Sequence, residues 1–291
     1  MKQLLVLSGK GGTGKTTVSA ALIKLSQARA IADCDVDAPN LHLVMQQSVK
    51  PEVSDFFGGD KASIDPERCI GCGACESHCR FDAIRVKDSK AVINEYACEG
   101  CGVCSHVCSV SAVALVPDVA GRRELYSGET VFSTATLKMG RGNSGKLVTD
   151  VKLAMLKAAP ECDLAIIDGS PGIGCPVIAS VSGVDLVLVV AEPSGSGISD
   201  LKRLCKTAET FQAKLAVCVN KCDVSHEHTE EIENFCKERQ IPFVGKIPFD
   251  PMAVKAVNSG FSVVDVDCSA GKAIREIYTA VQDIINANDF K

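Results

Sequence analysis

Proline is scarce in this 291-residue chain, with only 11, and no apolar run approaches the roughly 18 residues that a membrane-crossing helix needs. With 46% hydrophobic and 23% charged residues, the composition excludes collagen-like and disordered chains and fits a globular protein without a membrane anchor. Positive charge is not in excess either. The 31 Lys and Arg against 36 Asp and Glu leave −5, which removes the electrostatic argument for nucleic acid or an anionic membrane as a general partner. A secretory leader is not expected either: Met1 runs almost at once into Leu4–Leu7 and a Gly-rich loop, so a cytoplasmic, reducing location is expected. Cysteine is the opposite case, with 16 in the chain. In a reducing compartment such density reads as metal ligands before disulfides.

The length is about twice the ~150-residue single-domain prior, enough for one large α/β core with an extra module. Short Val/Ile/Leu runs at Leu4–Leu7, Leu164–Ile167, Leu186–Val190 and Leu215–Val219 predict strands buried on both faces. They alternate with helix-length segments at Thr16–Gln27, Lys146–Ala158, Ile198–Phe211, Glu227–Arg239 and Ser269–Ala287. This is the pattern of a doubly wound, mostly parallel α/β sheet. It fails from about Gly59 to Pro117, where eight cysteines fall within forty residues. The expected organisation is a discontinuous domain of residues 1–58 and 118–291, with residues 59–117 inserted.

The insertion repeats itself. A shift of 29 positions carries Cys69, Cys72, Cys75 and Cys79 onto Cys98, Cys101, Cys104 and Cys108, and Ala83-Ile84 onto Ala112-Val113. Two similar halves related by a pseudo-twofold are expected, folding around metal because so short a stretch has little core of its own. Each half is C-x-x-C-x-x-C-x-x-x-C, and the pair resembles bacterial-type two-cluster ferredoxins. That resemblance implies two [4Fe-4S] clusters, one on Cys69, Cys72, Cys75 and Cys108, the other on Cys98, Cys101, Cys104 and Cys79, each fourth cysteine crossing to the other cluster. Paired structural zinc sites are the alternative, but four thiolates per zinc need only two C-x-x-C pairs. Arg80 and Ser109 stand where the ferredoxin family usually has proline, a departure that bears on potential more than on ligation. His78 and His106, between ligands, read as loop residues or hydrogen-bond partners.

Gly9-Lys10-Gly11-Gly12-Thr13-Gly14-Lys15-Thr16-Thr17 follows the first strand and opens a helix, the context in which G-x-x-x-x-G-K-[ST] binds phosphate. Backbone N–H groups wrap the phosphates, Lys15 reaches the β and γ oxygens, and Thr16 offers a hydroxyl to Mg²⁺. With Lys10 near its start, the loop resembles the deviant Walker A of the MinD/ParA/Mrp and nitrogenase iron protein ATPases. The resemblance implies an ATP-dependent homodimer in which Lys10 reaches the partner's phosphates. It further implies that Asp35 of Asp33-Cys34-Asp35 orients the attacking water while Asp33 supports Mg²⁺. Asp168 closes an apolar strand in the Walker B manner and would hold the magnesium through water, and Asn220 would touch the base. Asn220-Lys221-Cys222-Asp223 also satisfies the guanine-reading N-K-x-D of GTPases; the family resemblance favours ATP and ADP.

The whole chain resembles MinD-superfamily P-loop ATPases with an inserted ferredoxin domain. Three functions are compatible with that. The first is an ATPase whose nucleotide-dependent dimer gates electron transfer through two clusters to a redox or iron-sulfur partner protein. The second is an iron-sulfur carrier or scaffold of the Mrp type, for which a C-P-x-C near the C-terminus is lacking. The third is a positioning or recruiting ATPase that senses redox state. Cys175, at an expected helix start after the switch-like Gly169–Gly172, reads as a small core residue before a bridging-cluster ligand. Cys34, Cys162, Cys205, Cys218, Cys222, Cys236 and Cys268 have no metal spacing and read as buried small hydrophobes. His226 and His228 read as a helix cap. The apolar face of the last helix, Ile274, Ile277, Val281, Ile284 and Ile285, reads as docked on the sheet rather than on a membrane.

Overall fold

A computed structural model describes residues 1–45, 47–159 and 161–287. In chain order the elements are β1 (Lys2–Leu7), α1 (Lys15–Ser26), β2 (Ala30–Asp33), β3 (Glu52–Ile64), α2 (Ala74–Ser77), β4 (Ile84–Lys87), β5 (Lys90–Ile93), α3 (Val103–His106), β6 (Val113–Ser127) and β7 (Val131–Leu137). They continue with α4 (Ser144–Ala158), β8 (Leu164–Asp168), α5 (Cys175–Val181), β9 (Leu186–Ala191), α6 (Gly195–Thr210), β10 (Lys214–Asn220), α7 (His226–Glu238), β11 (Phe243–Ile247), α8 (Pro251–Asn258) and α9 (Ser269–Asn286). The chain divides into two compact units. One is Met1–Val53, Arg123–Thr136 and everything from Ser144 on; the other is Ser54–Arg122 with Leu137–Asn143. The expected insertion, residues 59–117, lies wholly within the second.

The first unit is an α/β fold. Its strands stand in the order β11-β10-β9-β1-β8-β2-β7, each parallel to its neighbour. The strands alternate between two buried faces, which is why their sequences read as continuous apolar runs. Leu4, Val6, Ile31, Ile166, Leu188 and Val190 share one core with α1 and α9. The intervening Leu5, Leu7, Ile167, Val187 and Val189 point the other way and are equally buried. In α9, Ile274, Ile277, Val281 and Ile285 are buried in the first of these cores, with Ile284 at its margin, so the docked reading holds. Among the described residues, no helix is long and apolar enough to cross a membrane. Caps fix the later helix starts: Ser194 accepts from Gly197 N–H, Ser225 from His228 N–H and Asp250 from Met252 N–H.

Several elements of the first unit escape the sequence pattern, the four-residue β2 among them. β7 mixes Ser133, Thr134 and Thr136 into its run, yet Ser133 and Thr134 are buried. β11 carries Gly245 and Lys246, and α8, eight residues long, buries only Ala256.

The second unit has two halves of matching backbone. Cys69 N–H donates to Asp65 O and Cys98 N–H to Asn94 O, 29 residues on. Asp65 N–H donates to Ala112 O and Asn94 N–H to Ala83 O, so each half ties its start to the end of the other. A Cβ on Gly71 would meet Ser89 O at 2.3 Å, and one on Gly100 would meet Asp60 O at 2.1 Å; Ser89 and Asp60 are again 29 apart. The small core is built from Ala62, Ala83, Ile84, Ala91, Ala112, Val113 and the most buried cysteines.

Candidate functional site

Parallel strands end together, and in the first unit those ends collect the polar residues. Register pairs Val6 with Asp168 and Asp33 with Asp168, so the first, second and eighth strands deliver their last residues to one edge, the crevice in which such sheets bind ligands. The Gly9–Thr17 loop leaves β1 there. Gly14, at φ 93°, turns the chain into α1, and a Cβ on it would come within 2.2 Å of Asn220 Nδ2.

Inside this edge Lys15 Nζ lies 2.8 Å from Asp168 Oδ2 and 3.9 Å from Asp35 Oδ2. Thr16 Oγ1 donates to Asp168 Oδ2 at 2.7 Å and Ser19 Oγ to Oδ1 at 2.6 Å. Asp168 is completely buried, so its charge rests on these three partners. Ser19 escapes motif reading because it lies one helical turn beyond the loop; the i,i+4 spacing from Lys15 is the signal that finds it. Lys15, Thr16, Asp35 and Asp168 thus come together.

Asp33 is held by backbone donors on both carboxylate oxygens. One oxygen accepts from Asp35 N–H at 3.1 Å, the other from Asn40 and Leu41 N–H at 3.1 and 3.0 Å, so the carboxylate pins the loop that carries Asp35. Burial, then the charge of Asp168, pushes its pKa up to about 7 against the pull of these donors. Asp35 is also raised, by burial first, with Lys15 opposing.

The outer side of the loop is tied to β9 and β10. Lys10 Nζ lies 2.9 Å from Glu192 Oε2 and 3.2 Å from Ser196 Oγ. Lys221 Nζ reaches Gly12 O at 3.1 Å and Glu192 Oε1 at 3.6 Å. The hydrogen bond from Lys10 is the first cause holding the Glu192 carboxyl below its ordinary range. Asn220 Nδ2 donates to Thr13 O at 2.7 Å and Oδ1 accepts from Lys221 N–H, so Asn220 braces the loop. It also borders an open, mostly apolar cavity of about 310 Å³ with Gly12, Thr17, Phe249, Val254 and Ile274. Asp223, which a guanine site would use, accepts from Phe249 N–H at 2.7 Å.

In the second unit the eight cysteines divide into two sets of four. Cys69, Cys72, Cys75 and Cys108 line one small cavity; Cys98, Cys101, Cys104 and Cys79 line another. Exposure repeats across the halves: Cys69, Cys75, Cys98 and Cys104 are buried, Cys72 and Cys101 exposed, Cys79 and Cys108 between. Backbone N–H groups point at sulfur, Ala91 at Cys69 (3.4 Å), Ala62 at Cys98 (3.5 Å), Gly100 at Cys98 (3.4 Å) and Ala112 at Cys108 (3.2 Å). Those to Cys69, from Ala91 and then Gly71, lower its thiol pKa. Among the described residues no three or more His, Cys, Asp or Glu are grouped as for a single metal ion.

Sequence reading missed Lys61 and Lys90, whose ammonium groups donate to the carbonyls of Cys98 and Cys69; the 29-residue shift superimposes them. His78 Nδ1 is bonded to Ala74 O, and His228 Nδ1 to Ser225 Oγ, in keeping with loop and cap roles. Cys175 begins α5 but is exposed rather than buried, because Gly174 and the first turn leave it at the surface; Cys162 and Cys222 are half-buried, and Cys34, Cys205, Cys218, Cys236 and Cys268 are buried.

A family model described as the CobQ/CobB/MinD/ParA nucleotide binding domain matches residues 4–263. An uncharacterized protein of Methanocaldococcus jannaschii is 33% identical over 290 residues, 97% of each chain. An iron-sulfur cluster carrier protein of Pyrococcus horikoshii is 25% identical over 294 residues, covering 94% of this chain and 83% of its own. In fold the chain is similar to the septum site-determining protein MinD of Pyrococcus horikoshii, solved with Mg-ADP, at a TM-score of 0.59 and 15% identity over 98% of this chain and 97% of that one.

Proposed function

The chain belongs to the CobQ/CobB/MinD/ParA nucleotide-binding family, and from that premise we propose that this ATP-binding P-loop ATPase uses a nucleotide-dependent homodimer to gate electron transfer through two [4Fe-4S] clusters to a partner protein. The observation that carries the cluster half is the sorting of eight cysteines into two cavities, each closed by the fourth cysteine of the opposite half. A cubane presents each thiolate with a different iron, so its ligands stand apart rather than crowd one ion. The apolar walls and N–H groups aimed at sulfur suit a polythiolate centre. When bound, such clusters accept and release single electrons. The chain's part is to hold them and to fix their charge environment.

In the ATPase half, Lys15 exchanges Asp168 for the β and γ phosphates, and backbone N–H groups of Gly11–Thr16 cradle them. Thr16 and Asp168 are the residues to hold Mg²⁺, which offsets charge on those oxygens. Asp35, on the loop that Asp33 pins, orients the attacking water. Lys10 leaves Glu192 to reach the partner's phosphates, and the base lies in the apolar cavity beside Asn220. A γ-phosphate favours the closed dimer only through contacts made in that state alone, which is the differential binding that gating requires.

A second reading, an iron-sulfur carrier of the Mrp type, is favoured by the similarity to the Pyrococcus horikoshii carrier protein. Four cysteines to each cavity, drawn from both halves, favour retention over transfer. Anaerobic electron paramagnetic spectra and potentials, recorded with ADP and then with a non-hydrolysable ATP analogue, test the proposal. A nucleotide-dependent change in potential or in transfer rate supports gating; cluster loss to an apo-acceptor supports carriage. Protein that takes up zinc but never iron and sulfide would end the cluster reading.

A further inference from the structure

We propose that Lys61 and Lys90 are a matched pair of positioning residues that set the reduction potentials of the two cysteine-held clusters, Lys61 raising one and Lys90 the other; the inference rests on the cluster reading above. Each lysine precedes the first cysteine of a half by eight positions. Each ammonium crosses to the first cysteine of the other half and donates to its carbonyl, Lys90 to Cys69 at 2.7 Å and Lys61 to Cys98. The residue after each lysine, Ala91 or Ala62, points its N–H at the sulfur of the same cysteine. One cation and one amide dipole therefore address the first ligand of each cluster, and the arrangement occurs twice.

Packing does not account for the duplication. The backbone of each half is already closed by the bonds of Asp65 and Asn94 to Cys69 and Cys98, and Ala62 and Ala91 fill the core. What lysine adds is a positive charge beside a centre that becomes more negative when it accepts an electron from an external low-potential reductant, with no bond formed or broken. A nearby cation favours the reduced form, and net charge and hydrogen bonding to the sulfurs are the levers that set such potentials. The two environments differ: Lys61 is half-buried and Lys90 exposed. Water and salt screen the exposed charge more strongly, so the cluster on Cys98, Cys101, Cys104 and Cys79 is the one held at the higher potential, and an electron comes to rest there.

The test uses the full chain, loaded anaerobically with iron and sulfide and titrated with dithionite under electron paramagnetic detection. Lys61→Met and Lys90→Met should each move one potential downward and leave the other. The reduced-to-oxidised ratio at fixed potential falls by roughly threefold or more, most for Lys61→Met, while Lys61→Arg and Lys90→Arg restore it. Unmoved potentials in variants with full iron content overturn the proposal. Where a Met variant loses iron, Lys61→Gln and Lys90→Gln take its place: retained iron with the downward shift supports the proposal, whereas retained iron at an unmoved potential, or loss of iron from the Gln variants as well, overturns it. If the unaltered chain binds no iron and sulfide, the cluster reading itself falls.

Discussion

Lys10 Nζ stands 2.9 Å from one carboxylate oxygen of Glu192, and Lys221 Nζ stands 3.6 Å from the other. The lysine that the family resemblance assigns to a partner's phosphates is thus held within its own chain. The pair is partly exposed, 42% for Lys10 and 24% for Glu192 at the side chain, so releasing it takes at most about 1 kcal/mol. Glu192→Gln should tighten ATP-dependent dimerisation by about fivefold or less at low salt. Sedimentation velocity with and without a non-hydrolysable analogue checks this, and the gain should vanish in high salt.

The buried pair of Lys15 and Asp168 predicts a larger effect. Lys15→Ala leaves a fully buried carboxylate with only Thr16 and Ser19 as partners. Losing one member of such a pair destabilises by about 3–5 kcal/mol. Urea unfolding of the nucleotide-free protein should show that loss together with abolished ATP binding; an unchanged midpoint would contradict the burial argument.

Crossed ligation gives a spectroscopic prediction. Cys79 lines the cavity of Cys98, Cys101 and Cys104, so Cys79→Ser should perturb that centre and spare the one beside Cys69. Comparing its spectra with those of Cys101→Ser decides the matter: the two variants should alter the same signal, and Cys108→Ser the other.

Acid stability should depend on Asp250. Its carboxylate accepts from Ser269 Oγ at 2.7 Å, from Met252 N–H at 2.9 Å and from Ala270 N–H at 3.3 Å, with Ser269 the first cause of a pKa lowered from 3.8 to about 2. A group whose folded pKa is depressed binds its proton more readily when unfolded, so its contribution is complete above about pH 4 and disappears as the pH falls through 2. Asp250→Asn should therefore lower stability at neutral pH and flatten the acid limb between those values, as followed by circular dichroism.

Much of this protein was legible along the chain because the signals are local. Leu4–Leu7 and Leu186–Val190 announce buried strands by composition alone, the phosphate loop is nine consecutive residues, and the 29-residue shift exposes itself without any fold. What needed the tertiary structure joins residues far apart in sequence. Asp33 anchors its loop because Asn40 and Leu41 fold back onto it. Glu192 meets Lys10 across 182 positions only because β9 lies beside β1. β7 hides among hydroxyl residues that burial between neighbouring strands tolerates, so no alternation betrays it. Spacing can specify which atoms are chemically competent, since that is a property of residue types. Which of them face one another depends on the register and order of parallel strands, and that is settled by packing a whole core at once.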